Sequence, residues 1–354
     1  MKRFVVLAAA ALLSSGCALG FQAEARGSVV PADDGYPLRV YEMVASGAQG
    51  SSAPARGSVF YVDGSRRRSV LDRMGALAGF CMLGFSVVLV QPRGLADDGS
   101  FDREAARRAD TKEMRVSDQR RVVESFLARR AQGSVLLFGA SEGGDVAARV
   151  AAEDARVTHL ILLGSGGGIS QADELRLFVK RQPGYLGVGS EAELDTAFER
   201  IRGEPAGLRE WLGHPYRRWS SYLWSRPADD LARTRAQVLA LHGSADTNVP
   251  VESARALVAP PNGAAARAQS SAARPGSGPG ITRGRLTYLE YPGVDHRFRQ
   301  RGSGKSVFPC AEIDVIGWLE KTGVLSPNEA RTFAERTRGA HPEWFPRGEA
   351  RCSL

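Results

Sequence analysis

The stretch Val135-Leu136-Leu137-Phe138-Gly139-Ala140-Ser141-Glu142-Gly143-Gly144-Asp145-Val146-Ala147-Ala148 decides how the rest of the 354-residue chain is read. Its first part is an apolar run of strand length, and its last part is an Ala/Val segment of helical character. Between them Gly139, Ser141 and Gly143 form a Gly-x-Ser-x-Gly pattern on a strand-to-helix turn. A turn that sharp strains the serine backbone and exposes its hydroxyl, while glycines two residues to either side let neighbouring segments pass close. The N–H groups that follow sit at the positive end of the helix and point towards whatever the serine attacks.

Working outward, apolar runs alternate with helical patterns. Of the runs at 58–62, 86–90, 134–138, 159–163, 238–242 and 286–291, most are short and rich in Val, Leu and Ile. Most lack polar alternation, as expected of strands covered on both faces. Val29-Val30, Asp34-Gly35 and the segment 38–43 read as an opening hairpin around a tight turn. Residues 118–130 place Val122, Val123, Phe126 and Leu127 on one helical face, and 312–319 do the same with Ile313, Ile316 and Leu319. Such alternation predicts βαβ units and a parallel sheet. Two stretches interrupt it. Residues 170–235 are mostly helical and carry Trp211, Tyr216, Trp219, Tyr222 and Trp224, which suits either a lid over a site or a helical subdomain with its own core. Residues 260–284 are low in complexity and read as a surface insertion. Ser326-Pro327-Asn328-Glu329 supplies a cap, a first-turn proline and a capping-box acid for a terminal helix within 324–354.

A nucleophilic serine needs a base, and histidine is the usual one. The chain has five: His159, His214, His242, His296 and His341. His159 and His242 fall in expected strands and read as structural, His214 lies in the helical insertion and His341 in the tail. His296 follows the strand 286–291 by a short loop, on the same carboxyl edge of the sheet as Ser141, where α/β sites form. The imidazole in turn needs a carboxylate to fix its tautomer. Asp246 follows the strand 238–242 at that edge and is preferred over Asp295, because adjacent side chains in a short loop seldom face each other.

The segments Phe138-Gly139-Ala140-Ser141-Glu142-Gly143-Gly144, Leu241-His242-Gly243-Ser244-Ala245-Asp246-Thr247-Asn248-Val249-Pro250 and Tyr291-Pro292-Gly293-Val294-Asp295-His296 together resemble the α/β-hydrolase superfamily. They look closest to its small-molecule esterase, thioesterase and serine-peptidase-like members. The resemblance covers about 26–323. It implies an α/β fold: a mostly parallel sheet of about eight strands with flanking helices and a helical lid inserted after the sixth. The chain departs from the pattern in the long interval between Asp246 and His296, which the 260–284 insertion explains. It departs again after the third strand, where relatives often carry His-Gly and this chain has Tyr61-Val62-Asp63-Gly64-Ser65. Backbone N–H groups do the stabilising there, so the expected oxyanion donors are the N–H groups of Glu142 and Ser65. Asp63 would set negative charge beside a developing oxyanion unless paired. Arg66, Arg67 and Arg68 are at hand to pair it or to attract an anionic substrate, though such a run reads first as the solvated start of a helix.

The N-terminus carries Lys2 and Arg3, an apolar run over 4–13, and Ser14-Ser15-Gly16 before Cys17. Ten residues span about 15 Å as a helix, too short for a hydrocarbon core of roughly 30 Å. The expectation is a signal peptide over 1–16 that resembles a bacterial lipoprotein signal, with Cys17 lipidated, a tether over 17–25, and export to a membrane surface. Cys81 reads as a buried thiol, and Cys310 and Cys352 as a disulfide that fastens the tail. Net charge is +8, but of 47 cationic residues 42 are scattered Arg, so nucleic-acid binding is not expected. No cofactor and no metal are called for. The expected partner is a small-molecule ester, thioester or peptide. The expected activity is ester hydrolysis through an acyl-enzyme, with peptide or amide cleavage, or a catalytically silent binding protein on the same scaffold, as alternatives.

Overall fold

A computed structural model describes residues 23–45, 56–66, 68–129, 133–184, 186–259 and 281–345. Within them lie β1 (Ala23–Pro31), β2 (Pro37–Ala45), β3 (Gly57–Val62), β4 (Phe85–Val90), β5 (Ser134–Ala140) and β6 (His159–Leu163). A short pair, β7 (Glu210–Trp211) and β8 (His214–Pro215), precedes β9 (Gln237–Gly243), β10 (Ile281–Arg283) and β11 (Leu286–Tyr291). Nine of these form one sheet in the order β1-β2-β4-β3-β5-β6-β9-β11-β10. The six from β4 to β11 are mutually parallel, while β1, β2 and β10 run antiparallel to their neighbours. The mostly parallel α/β sheet expected from the sequence is therefore present, with β10 as an additional edge strand.

Side chains alternate across a strand, so each central strand feeds two cores. Val59, Tyr61, Val87, Leu89, Leu136, Phe138, Ile161, Leu239 and Leu241 enter one, closed by the helices Met74–Met82, Phe308–Lys321 and Pro327–Ala340. Phe60, Val62, Val88, Val135, Leu137, Leu160, Leu162, Val238 and Ala240 enter the other, against Lys112–Leu127, Gly143–Glu153 and Val251–Ala256. Burial on both faces explains why these strands read as unbroken apolar runs. Parallel strands aligned this way bring the carboxyl ends of β3, β5, β9 and β11 to one edge, and the loops that leave that edge build the site.

Between β6 and β9 the chain forms the helices Gln171–Arg181, Glu191–Gly203, Tyr216–Tyr222 and Pro227–Arg233 with the β7–β8 pair. Leu175, Val179, Leu194, Phe198, Ile201, Tyr216 and Trp219 give this insertion a core of its own. Tyr222 instead joins the sheet core, and Trp224 is exposed. The terminal helix starts with a full capping box between Ser326 and Glu329. Cys81 is a free, buried thiol. Cys310 is disulfide-bonded; Cys352, its expected partner, and Cys17 with the whole N-terminal signal lie outside the described residues, as does most of 260–284.

Candidate active site

The turn between β5 and the helix Gly143–Glu153 carries Ser141 at φ +54°, one of three non-glycine residues with positive φ among those described. A side chain in that region is strained, and such strain persists only where surrounding contacts over-determine it. Here the Ser141 N–H donates to the Leu163 carbonyl at 2.8 Å, tying the turn to the end of β6. Gly143 is needed because a Cβ there would fall on the Val62 carbonyl of β3. Gly139 is needed because its Cβ would stand 2.6 Å from the Gly143 carbonyl oxygen. The two glycines let strand, turn and helix close tightly around the serine.

The loop after β11 brings His296 to this turn, with its Nε2 3.0 Å from Ser141 Oγ. Its Nδ1 lies 2.7 Å from Asp246 Oδ2. That pairing gives Nδ1 the proton and leaves Nε2 to accept from the serine hydroxyl. Asp246 is held by its other oxygen: Oδ1 accepts the N–H groups of Asn248 at 2.8 Å and Val249 at 2.9 Å. Its side chain is fully buried, so the carboxylate keeps a fixed direction. Asp295 has a different task. Its Oδ1 accepts the N–H groups of Arg297 and Arg299, both at 2.9 Å, and shapes the histidine loop without facing the imidazole.

The remaining histidines sit elsewhere or do other work. His159 packs edge-on against Trp318, and burial pushes its imidazole down to about 4. Its Nδ1 meets the Thr158 hydroxyl at 2.9 Å, but Nε2 is buried with no partner among the described residues, so it is less fully satisfied than a structural histidine would be expected to be. His242 is closer to the site than the sequence suggests. Its Nε2 donates to the Val249 carbonyl at 3.2 Å and stands 3.6 Å from Asp246 Oδ2. Burial holds it in the neutral form despite that carboxylate.

The loop after β3 borders the serine: a Cβ on Gly64 would lie 3.1 Å from Ser141 Cβ and 3.5 Å from its Oγ. Ser65 follows on the exposed side of this loop. Asp63 is paired, and two of its partners lie outside the arginine run. Tyr61 donates its hydroxyl to Asp63 Oδ1 at 2.9 Å, and Arg73 Nη2 approaches the same oxygen at 3.3 Å. Arg66 and Arg68 are exposed, and Arg67 lies outside the described residues. Arg73 closes the short helical turn Val70–Arg73, which sets it within reach of that carboxylate.

Two arginines the sequence does not single out surround Glu142. Arg115, from the helix Lys112–Leu127, gives Nη1 to Glu142 Oε1 at 2.7 Å. Arg218, from the insertion, pairs with Glu142 Oε2 and lies over the rings of Trp219 and Tyr222. The insertion thus touches the turn that carries the serine.

Comparison with solved structures finds the same fold in hydrolytic enzymes. A puromycin-hydrolysing peptidase from Mycobacterium tuberculosis superposes over 90% of this chain with 17% identity and a TM-score of 0.52. The present chain spans 41% of the length of that peptidase. Est1E from Butyrivibrio proteoclasticus superposes over 83% of this chain and 98% of its own length, with 15% identity and a TM-score of 0.55. A further puromycin hydrolase gives 18% identity, 86% and 40% coverage and a TM-score of 0.53. No protein-family model matches the chain, and no curated protein matches it.

Proposed function

With the α/β-hydrolase fold of this chain as premise, we propose that it is a serine hydrolase that cleaves esters or thioesters through an acyl-enzyme. The observation that carries this reading is the unbroken chain of contacts from Asp246 through His296 to Ser141, at 2.7 Å and 3.0 Å. In the reaction His296 Nε2 takes the hydroxyl proton as Ser141 Oγ bonds to the carbonyl carbon. Asp246 stabilises the imidazolium that forms. The oxyanion is held by the N–H groups of Glu142 and Ser65. The proton on Nε2 then passes to the departing alcohol or thiol, leaving the acyl group on Ser141. A water that gives its proton to the same nitrogen attacks the acyl carbon, and collapse of the second tetrahedral species returns the proton to Ser141 and releases the acid. Peptide or amide cleavage uses the same residues, and a puromycin-hydrolysing peptidase shares the fold. The substrate is a small molecule, and no step above requires a metal or a cofactor.

A fluorophosphonate probe tests the reading. Wild-type protein should be labelled at Ser141 and the Ser141→Ala variant should not, with hydrolysis of short p-nitrophenyl esters lost in parallel. Folded wild-type protein that takes up no label would instead favour the silent binding scaffold.

We also propose, on sequence alone, that the chain is exported and tethered through a lipidated Cys17. Mass spectrometry of protein from membranes should find an acylated Cys17 at the mature N-terminus, absent in Cys17→Ser. A mature chain that starts elsewhere would refute the tether.

A further inference from the structure

We propose that Arg115 is a positioning residue that sets both halves of the oxyanion site at once, an inference that rests on the serine-hydrolase reading above. Its guanidinium touches neither Ser141 nor His296 in the hydrogen bonds it makes. One edge of the fork, Nη1, holds Glu142 Oε1 at 2.7 Å and meets the Tyr222 hydroxyl at 3.3 Å. The other edge, Nη2, donates to the carbonyl of Asp63 and, at 3.4 Å, to that of Gly64. These are the two segments from which the oxyanion donors come.

The geometry makes the connection specific. In a trans peptide the carbonyl and the following N–H point in opposite directions, and the described residues contain no cis bond. Drawing the Asp63 and Gly64 carbonyls towards Arg115 therefore turns the N–H groups of Gly64 and Ser65 away from it. That stretch runs beside the nucleophile, since a Cβ on Gly64 would be 3.1 Å from Ser141 Cβ. On the elbow side, Glu142 contributes the other expected N–H, and its side chain is almost fully buried between Arg115 and Arg218. Arg115 thus fixes the spacing between two donors that belong to separate strands' loops. A preorganised pair of donors is what stabilises a developing oxyanion without reorganisation. Arginine suits the task because its planar fork offers several fixed N–H groups, whereas a lysine ammonium is a single point that cannot span both segments.

The test compares Arg115→Lys and Arg115→Gln with wild type on p-nitrophenyl butyrate. Arg115→Lys keeps a cation opposite the buried Glu142, so loss of charge and loss of the bridge are separated. Both variants should lose about 10- to 100-fold in kcat, less than or near the effect of deleting one oxyanion donor. KM should stay within about threefold, since the bridge acts in the transition state rather than on ground-state binding. The acid limb of the pH–rate profile should not move, because the Asp246–His296 pair is untouched. The rate of Ser141 labelling by fluorophosphonate, whose phosphoryl oxygen occupies the same hole, should fall by the same factor. Glu142→Ala, which cuts the bridge on the elbow side, should match Arg115→Lys, and Glu142→Gln, which keeps an oxygen for Nη1, should lose less. The Glu142 pair keeps the inference testable if an Arg115 variant does not fold. A kcat for Arg115→Lys within twofold of wild type, a loss carried mainly by KM, or a displaced acid limb would overturn the positioning role. Wild-type protein without Ser141-dependent labelling would overturn the hydrolase reading itself, a result distinguishable from a labelled wild type with an unimpaired Arg115→Lys.

Discussion

At the scale of single residues, the direction of Asp246 matters more than its charge. Its Oδ1 is occupied by two backbone N–H groups, at 2.8 and 2.9 Å, so the oxygen that meets His296 is determined before any substrate arrives. Asp246→Asn preserves shape but offers the amide in one of two orientations. If the amide oxygen remains on the backbone N–H groups, the NH2 faces His296 Nδ1 and forces the opposite tautomer, with the proton on the nitrogen that should accept from Ser141. Ester hydrolysis should then fall by about 10³- to 10⁴-fold with little change in thermal stability. The measurement is kcat/KM beside a melting curve. A loss below tenfold would show that the carboxylate does not orient the base. The nearby His242, held neutral by burial, donates to the Val249 carbonyl and so stands 3.6 Å from Oδ2 without competing with His296 as a cation.

At the scale of elements, what could be read from the sequence was what each strand announces locally. The strands β5 and β9 are largely apolar runs and β11 a Leu/Tyr run, and each is followed within a few residues by its chemical group, so Ser141, Asp246 and His296 could be placed on one edge from sequence. The opening hairpin and the capping box at Ser326 were legible for the same reason, since turn and cap chemistry is a matter of neighbours in sequence. Contacts between distant elements were not. Arg115 lies 27 residues from Glu142, and nothing in its own surroundings sets it apart in a chain where 42 of 47 cations are Arg. The run at Arg66 drew attention by composition, but Arg73, ten residues beyond Asp63 in the short helical turn Val70–Arg73, also reaches that carboxylate. The strand Ile281–Arg283 was hidden inside the end of a low-complexity segment, and pairing with β11 is what makes it a strand. For the insertion, aromatic spacing suggested both a lid and an independent core. In the structure Trp219 belongs to the insertion's own core, while its neighbour Arg218 reaches out to Glu142.

At the scale of the whole molecule, buried carboxyl groups outside the Asp246–His296–Ser141 chain set how stability depends on pH. Burial pushes Glu174 up to about 8, although Ser253 and the Gly167 backbone hold its charged form in part. It also pushes Glu312 up to about 8, and Glu312 Oε2 is shielded from solvent with no partner among the described residues. Both start from an ordinary value of 4.5. Between those limits the folded protein binds more protons than the unfolded chain, so stability falls as pH rises. The contribution of each group is complete below its unfolded value and lost by the time pH passes its folded one. His159 acts in the opposite sense, because its imidazole, pushed down to about 4 from 6.5, favours the folded state above that window and opposes it as pH falls. Wild-type stability is the sum of these slopes, so a single pH profile cannot assign them, but a difference can. Glu312→Gln keeps size and hydrogen-bonding capacity while removing the ionisation. Relative to wild type it should gain little at pH 5, where Glu312 is protonated in the folded state, and on the order of 1–3 kcal/mol at pH 8.5. Urea unfolding of both proteins at the two pH values measures that difference directly. An equal effect at pH 5 and pH 8.5 would mean that Glu312 acts through packing alone, with its charge reaching solvent in the folded protein.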